Sequence, residues 1–94
     1  MADYQRYSDI EVLTRELKEG KEVAFDYLFR TRYKNLCRFA ATFVIHFDVA
    51  EDIVQEVFLS LWKMDRSGFP NLKTVKTFLY NSVQHRCLNY LRDL

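Results

Sequence analysis

Apolar residues recur three and four positions apart along most of the chain, and four stretches of that pattern predict four helices. The first covers Ile10 to Glu19 on a thin stripe of Ile10, Leu13 and Leu17, which places it on the surface of a bundle. Ser8 or Asp9 can cap its start, and Gly20 can end it in the left-handed conformation. Residues 1–7 before it are expected to be loosely held. The second helix, from about Glu22 to about Ile45, has a dense apolar face of Phe25, Leu28, Phe29, Leu36, Phe39, Ala40 and Phe43. The third carries Ala50, Ile53, Val54, Val57, Phe58 and Leu61 on one side. Asp48 with Glu51 three positions later forms a capping-box pattern that starts it at Val49, after a turn at His46 and Phe47. The fourth runs from Leu72 or Lys73 to about Arg92. Its core stripe is Leu72, Val75, Leu79, Val83, Leu91 and Leu94, with Phe78, Cys87, Leu88 and Tyr90. Met64 to Asn71 reads as a loop on Ser67, Gly68, Pro70 and Asn71. The predicted fold is all-α, a small bundle of about four helices, the first short.

Ninety-four residues make one small domain, 1–94. Hydrophobic content of 49% and charged content of 29% fit a soluble, folded chain. No apolar run reaches the roughly 18 residues a membrane span requires, and no N-terminal signal is visible, so membrane insertion is not expected and a cytoplasmic location is. Cys37 and Cys87 do not form a disulfide framework. Each falls in a helical pattern, so buried free thiols are expected. Neither cysteine stands at zinc-site spacing from His46 or His85. There is no nucleophile–base pair, no phosphate-cradling glycine loop and no metal set, so neither enzymatic activity nor a cofactor is expected.

The outer side of the third helix changes the picture. Asp52, Gln55, Glu56, Leu59 and Trp62 share one face, an acidic and amide stripe that runs into two large apolar groups. Apolar groups outside a core point to a partner. The plain alternative stays open at this level, since one exposed leucine needs no explanation and Trp62 can fold back onto a neighbouring helix.

Charge is divided along the chain although the net charge is only +1. Residues 48–63 hold Asp48, Glu51, Asp52 and Glu56 against Lys63, a balance of −3. Residues 64–94 hold Arg66, Lys73, Lys76, Arg86 and Arg92 against Asp65 and Asp93, a balance of +3. An acidic helix beside a basic one points to two partners on two surfaces. The outward positions of the fourth helix are Lys73, Lys76, Thr77, Tyr80, Asn81, Gln84, His85, Asn89 and Arg92. Cations that hold phosphates, amides that read base edges and an aromatic that stacks are what single-stranded DNA requires; an ordinary polar face with two lysines is the alternative. Arg30, Arg32, Lys34 and Arg38 on the second helix read most simply as solubility and intrahelical pairing, for example Asp26 with Arg30.

The stretch from Asp48 to Trp62, DVAEDIVQEVFLSLW, resembles region 2.2 of bacterial sigma factors, in particular the extracytoplasmic function (ECF) group. The resemblance covers about residues 22–94 and is strongest over 48–63. It implies that this helix docks on the clamp helices of the RNA polymerase β′ subunit, with Asp52, Gln55, Glu56, Leu59 and Trp62 at the docking positions. The second helix then corresponds to regions 1.2 and 2.1. The loop before the fourth helix helps form the pocket for a flipped base of the −10 promoter element, where Ser67, Gly68 and Asn71 supply polar contacts and Phe69 is either a plug over the core or an exposed aromatic.

Thr77 to Arg92, TFLYNSVQHRCLNYLR, is similar to regions 2.3 and 2.4, which melt and read the −10 element. The resemblance places DNA contacts at Ser67, Asn71, Lys73, Lys76, Thr77, Tyr80, Asn81, Gln84, His85 and Arg92. Three departures stand out. Phe78 replaces the usual tryptophan, Gln84 and His85 stand where Arg-Asn is usual, and Asn89 stands where Asp is usual. Without that arginine a phosphate contact is weakened; Arg86, next after His85, can compensate, though it points elsewhere around the helix. The implied function is a sigma factor domain that binds core polymerase and recognises and melts the −10 element. An anti-sigma factor is an expected further partner. A region 4 domain for the −35 element does not follow Leu94, so a longer natural chain is expected. The alternative is a helical protein-interaction or duplex DNA-binding module unconnected with polymerase, but helix-turn-helix spacing and a stronger basic balance are missing.

Overall fold

The computed structural model describes residues 5–64 and 72–94, the latter without the side chain of Leu72. Four helices follow a short 3-10 turn at Gln5–Ser8: α1 (Ile10–Lys18), α2 (Glu22–Ala40), α3 (Phe47–Lys63) and α4 (Leu72–Arg92). The three long helices pack on one another pairwise, and α1 lies across α2 and α4. The all-α expectation with a short first helix holds.

Local chemistry sets the ends of α1. Asp9 is its N-cap, with a carboxylate oxygen accepting from the Glu11 amide at 2.9 Å. At the other end Gly20 has φ 77°, where a Cβ would clash. The Lys21 amide donates to the Glu16 carbonyl and the Gly20 amide to Leu17, the paired bonds of a Schellman ending. Ile10 is 60% exposed, so Leu13 and Leu17 alone make the buried stripe.

Two boundaries differ from those the pattern predicts. α2 stops at Ala40, although its apolar periodicity runs on to Phe43. The Thr42 hydroxyl and amide both donate to the Phe39 carbonyl, and the Phe43 and Val44 amides turn back to Ala40, which closes the last turn. This re-aims the chain so that Val44 enters the core while Ile45 is left in solvent. α3 starts at Phe47, not Val49. His46 is its N-cap in extended conformation, and its carbonyl accepts from the Val49 and Ala50 amides. No side chain caps this end, so the Asp48–Glu51 capping box does not form; Asp48 sits in the first turn, where its charge still suits the positive helix end.

The core centres on Phe58. Its ring meets Phe29 at 4.9 Å and Phe25 at 6.2 Å, both edge-to-face. Leu28 and Leu36 from α2, Val54, Val57 and Leu61 from α3, and Leu79 and Val83 from α4 close around it. Cys37 and Cys87 are buried free thiols, as expected, and burial pushes both thiols up from their usual range. Three residues placed in the α4 core stripe lie outside it: Leu88, Leu91 and Leu94 are exposed. At roughly 100° per residue, Leu88 and Leu91 fall in line with Gln84 and Thr77 on the outward arc, and Leu94 is beyond the helix end.

The segment before α1 is held more firmly than expected over residues 5–7. Tyr7 is 2% exposed and packs on Tyr27 at 5.1 Å. Its hydroxyl donates to the Glu16 carboxylate at 3.1 Å, and Arg6 donates to the other oxygen of the same group. Glu16 is the single buried charged side chain among the described residues, and both its oxygens are satisfied. Glu16→Ala is expected to destabilise the domain by about 2 kcal/mol, because it strands the buried Tyr7 hydroxyl. That destabilisation reads as a fall in Tm of roughly 8–16 °C for a domain this small. An unchanged Tm would show that the latch contributes nothing.

Candidate functional site

Packing α3 against α2 leaves a groove of about 480 Å³ between them. Phe25, Phe29 and Phe58 form its floor, Leu59 and Trp62 one apolar wall, and Glu22, Asp26 and Gln55 its polar rim. The outer stripe expected on α3 is present: Asp52, Gln55, Glu56, Leu59 and Trp62 are all exposed, Leu59 by half and Trp62 by 37%. Both readings of Trp62 hold in part. Its ring packs on Phe25 at 4.9 Å, folded back onto α2, yet its outer edge lines the groove. The groove thus presents an apolar strip bordered by two carboxylates of α2 and the Gln55 amide of α3, and it suits an apolar partner surface carrying cations.

Two polar residues of this stripe are positioned by their neighbours. The Gln55 amide donates to the Tyr33 hydroxyl at 3.1 Å, and Tyr33 stacks on Phe29 at 5.0 Å. Burial pushes the Tyr33 phenol up, an effect that the bond from Gln55 opposes. Glu56 pairs with Arg86 of α4 at 3.1 Å, and the second guanidinium nitrogen donates to the Ser60 hydroxyl. Arg86 therefore faces α3 and does not stand in for the arginine whose place Gln84 takes. Asn89 also turns this way, into a cleft with Asp52, Ile53 and Glu56.

The remaining outward residues of α4 form a polar arc. Lys73, Thr77, Asn81, Gln84, His85 and Arg92 are exposed, and Lys76 and Tyr80 are half-buried. Thr77 donates to the Lys73 carbonyl one turn back, and Arg92 makes a long contact with Asp93 at 3.5 Å. Tyr80 is less available than its place in the pattern implies, since its ring meets Phe39 edge-to-face at 5.0 Å and Phe39 in turn meets Phe43. Beside it, His85 and Asn81 line a shallow hollow with Phe78 and Ser82. Ser67, Gly68, Phe69 and Asn71 lie outside the described residues.

The aromatic floor of the groove was not legible as a site. Phe25 and Phe29 carry the same spacing as any core residue, and only the packing of α3 against α2 shows that they stay half-buried and line the groove.

These two faces, an acidic apolar groove on α2–α3 and a polar arc on α4, fit the comparison with known families. Residues 28–94 match the family Sigma-70 region 2. The match spans more than half of the chain, and the chain belongs to that family. Region 2 is the non-catalytic part of a sigma factor that binds core RNA polymerase and recognises the −10 promoter element. Neither a curated protein nor a solved structure matches the chain. Among the described residues no helix is long and apolar enough to cross a membrane.

Trp62 is the sole tryptophan and stands at the groove edge, so its fluorescence reports on that site. Phe25→Ala is expected to shift Trp62 emission to longer wavelength by uncovering the ring it packs against, and to cost about 3–4 kcal/mol in stability. An unshifted emission maximum would mean that Phe25 does not shield the indole.

Proposed function

We propose that the α2–α3 groove docks this domain on core RNA polymerase, with the β′ clamp helices as the partner surface. Asp52, Gln55, Glu56, Leu59 and Trp62 are the contact residues. The observation that carries this reading is the pairing of exposed Leu59 and Trp62 with carboxylates around an aromatic floor, an arrangement that a solvated helix face has no use for. The arc of α4, with Lys73, Lys76, Thr77, Tyr80, Asn81, Gln84, His85 and Arg92, takes the melted −10 strand, and Ser67 and Asn71 of the preceding segment accept its flipped base. Binding to the unpaired strand offsets the few kcal/mol that extruding a base costs. No catalytic step is involved. We read the domain as ECF-type on the residues from Asp48 to Trp62, as working in the cytoplasm where polymerase is, and as the target of an anti-sigma factor that covers the groove.

Docking is tested with Asp52→Lys combined with Leu59→Ala. Neither residue supports the core, whereas reversal at Glu56 would set a second cation against Arg86. The double variant is expected to bind core polymerase at least tenfold more weakly, read by pull-down or Trp62 fluorescence, with helicity unchanged. Wild-type affinity in a folded variant would refute the groove as the docking site. On the DNA side, Asn81→Ala with Gln84→Ala is expected to weaken binding to −10 single strand by roughly tenfold, about 1.4 kcal/mol, with no change in Tm. Equal affinity would remove α4 from the DNA interface.

A further inference from the structure

Two parts of the α2–α3 groove are held by a residue that does not line it. Phe29 belongs to the floor and Gln55 to the rim. Tyr33, one turn after Phe29 on α2, touches both. Its ring stacks on Phe29 with centroids 5.0 Å apart and planes 29° apart. Its hydroxyl accepts from the Gln55 side-chain amide at 3.1 Å, across the gap between α2 and α3. Phe29 meets Phe58 as well, edge-to-face at 4.9 Å, so the ring that Tyr33 stacks on is itself fixed by the core. Tyr33 is half-buried, whereas Gln55 is exposed on the outer stripe of α3. A glutamine on an exposed helix face is otherwise free to change rotamer.

We infer that Tyr33 is a positioning residue for docking: it sets the Gln55 amide in place before the partner arrives. This role rests on the reading of the groove as the docking site for core polymerase, and it adds a residue of α2 that lies outside the groove lining. The physical basis is preorganisation. A partner that must immobilise a rotamer-rich side chain loses about two- to tenfold in affinity for each one, and a side chain already held in the free domain avoids that loss. One N–H of the amide is committed to Tyr33, which leaves the carbonyl oxygen and the second N–H for the partner. An amide fixed in this way suits a group that both donates and accepts, such as a side-chain amide on the opposing surface. An occupant of the groove does not compete for the tether, because Tyr33 is not part of the lining.

The test is a double-mutant cycle on binding to core polymerase, built from Tyr33→Phe and Gln55→Ala. Tyr33→Phe removes the acceptor and keeps the ring on Phe29. It is expected to weaken binding about two- to tenfold with Tm unchanged. In the Gln55→Ala background the same change is expected to have no further effect. An independent readout is the NMR signal of the Gln55 side-chain amide in the free domain, which Tyr33→Phe is expected to move to the position of an unstructured glutamine. Wild-type affinity in Tyr33→Phe, an equal loss in both backgrounds, or an unmoved Gln55 signal overturns the positioning role. If in that case Asp52→Lys with Leu59→Ala still weakens binding, the groove stands as the docking site without the tether. If that double variant also binds as wild type does, the docking site itself is wrong and the positioning role falls with it.

Discussion

The contact on which both the fold and the groove depend is the seating of Phe58 between Phe25 and Phe29. Its ring is almost wholly buried, with only its edge at the groove floor, and it is the contact through which α3 seats on α2. Close packing leaves little freedom in such a seat. The same two α2 rings that hold Phe58 from below offer their outer edges to the groove, and Trp62 leans on one of them. Core and groove are therefore two sides of one aromatic layer. A partner that fills the groove extends the core of the domain rather than covering an independent patch.

The two faces are also tied to each other. Arg86, from the helix that carries the polar arc, reaches Glu56 and Ser60 on the helix that carries the acidic stripe. The pair is largely exposed, so its own contribution to stability is small. Its consequence is one of placement: the arginine nearest the unusual Gln84–His85 position is turned towards the acidic stripe of α3 and away from the polar arc of α4.

Much of this was readable from residue order. The helical periods of α3 and α4, the Asp9 cap and the Gly20 ending of α1 depend on neighbours within a few positions, and they appear as the pattern predicts. The stripe from Asp52 to Trp62 is a matter of period alone, once the apolar side of α3 is known to be inward. Errors arose where local competition or the ends of a period decided. Thr42 ends α2 against its apolar pattern, His46 takes the cap from Asp48, and Leu88 and Leu91 fall just outside the buried arc of α4.

By itself, then, the sequence determined which segments are helical, which side of α3 is wet, and the family to which residues 28–94 belong. Each of these is carried by spacing or by residue identity along one segment. Tertiary structure decided what lies across the gaps between segments: the buried Glu16 latched to Arg6 and Tyr7, the aromatic floor shared by core and groove, and Arg86 turned to Glu56. Those partners belong to different segments, and the period of one helix carries no information about the rotation of the next. Only the packing around Phe58 sets that rotation.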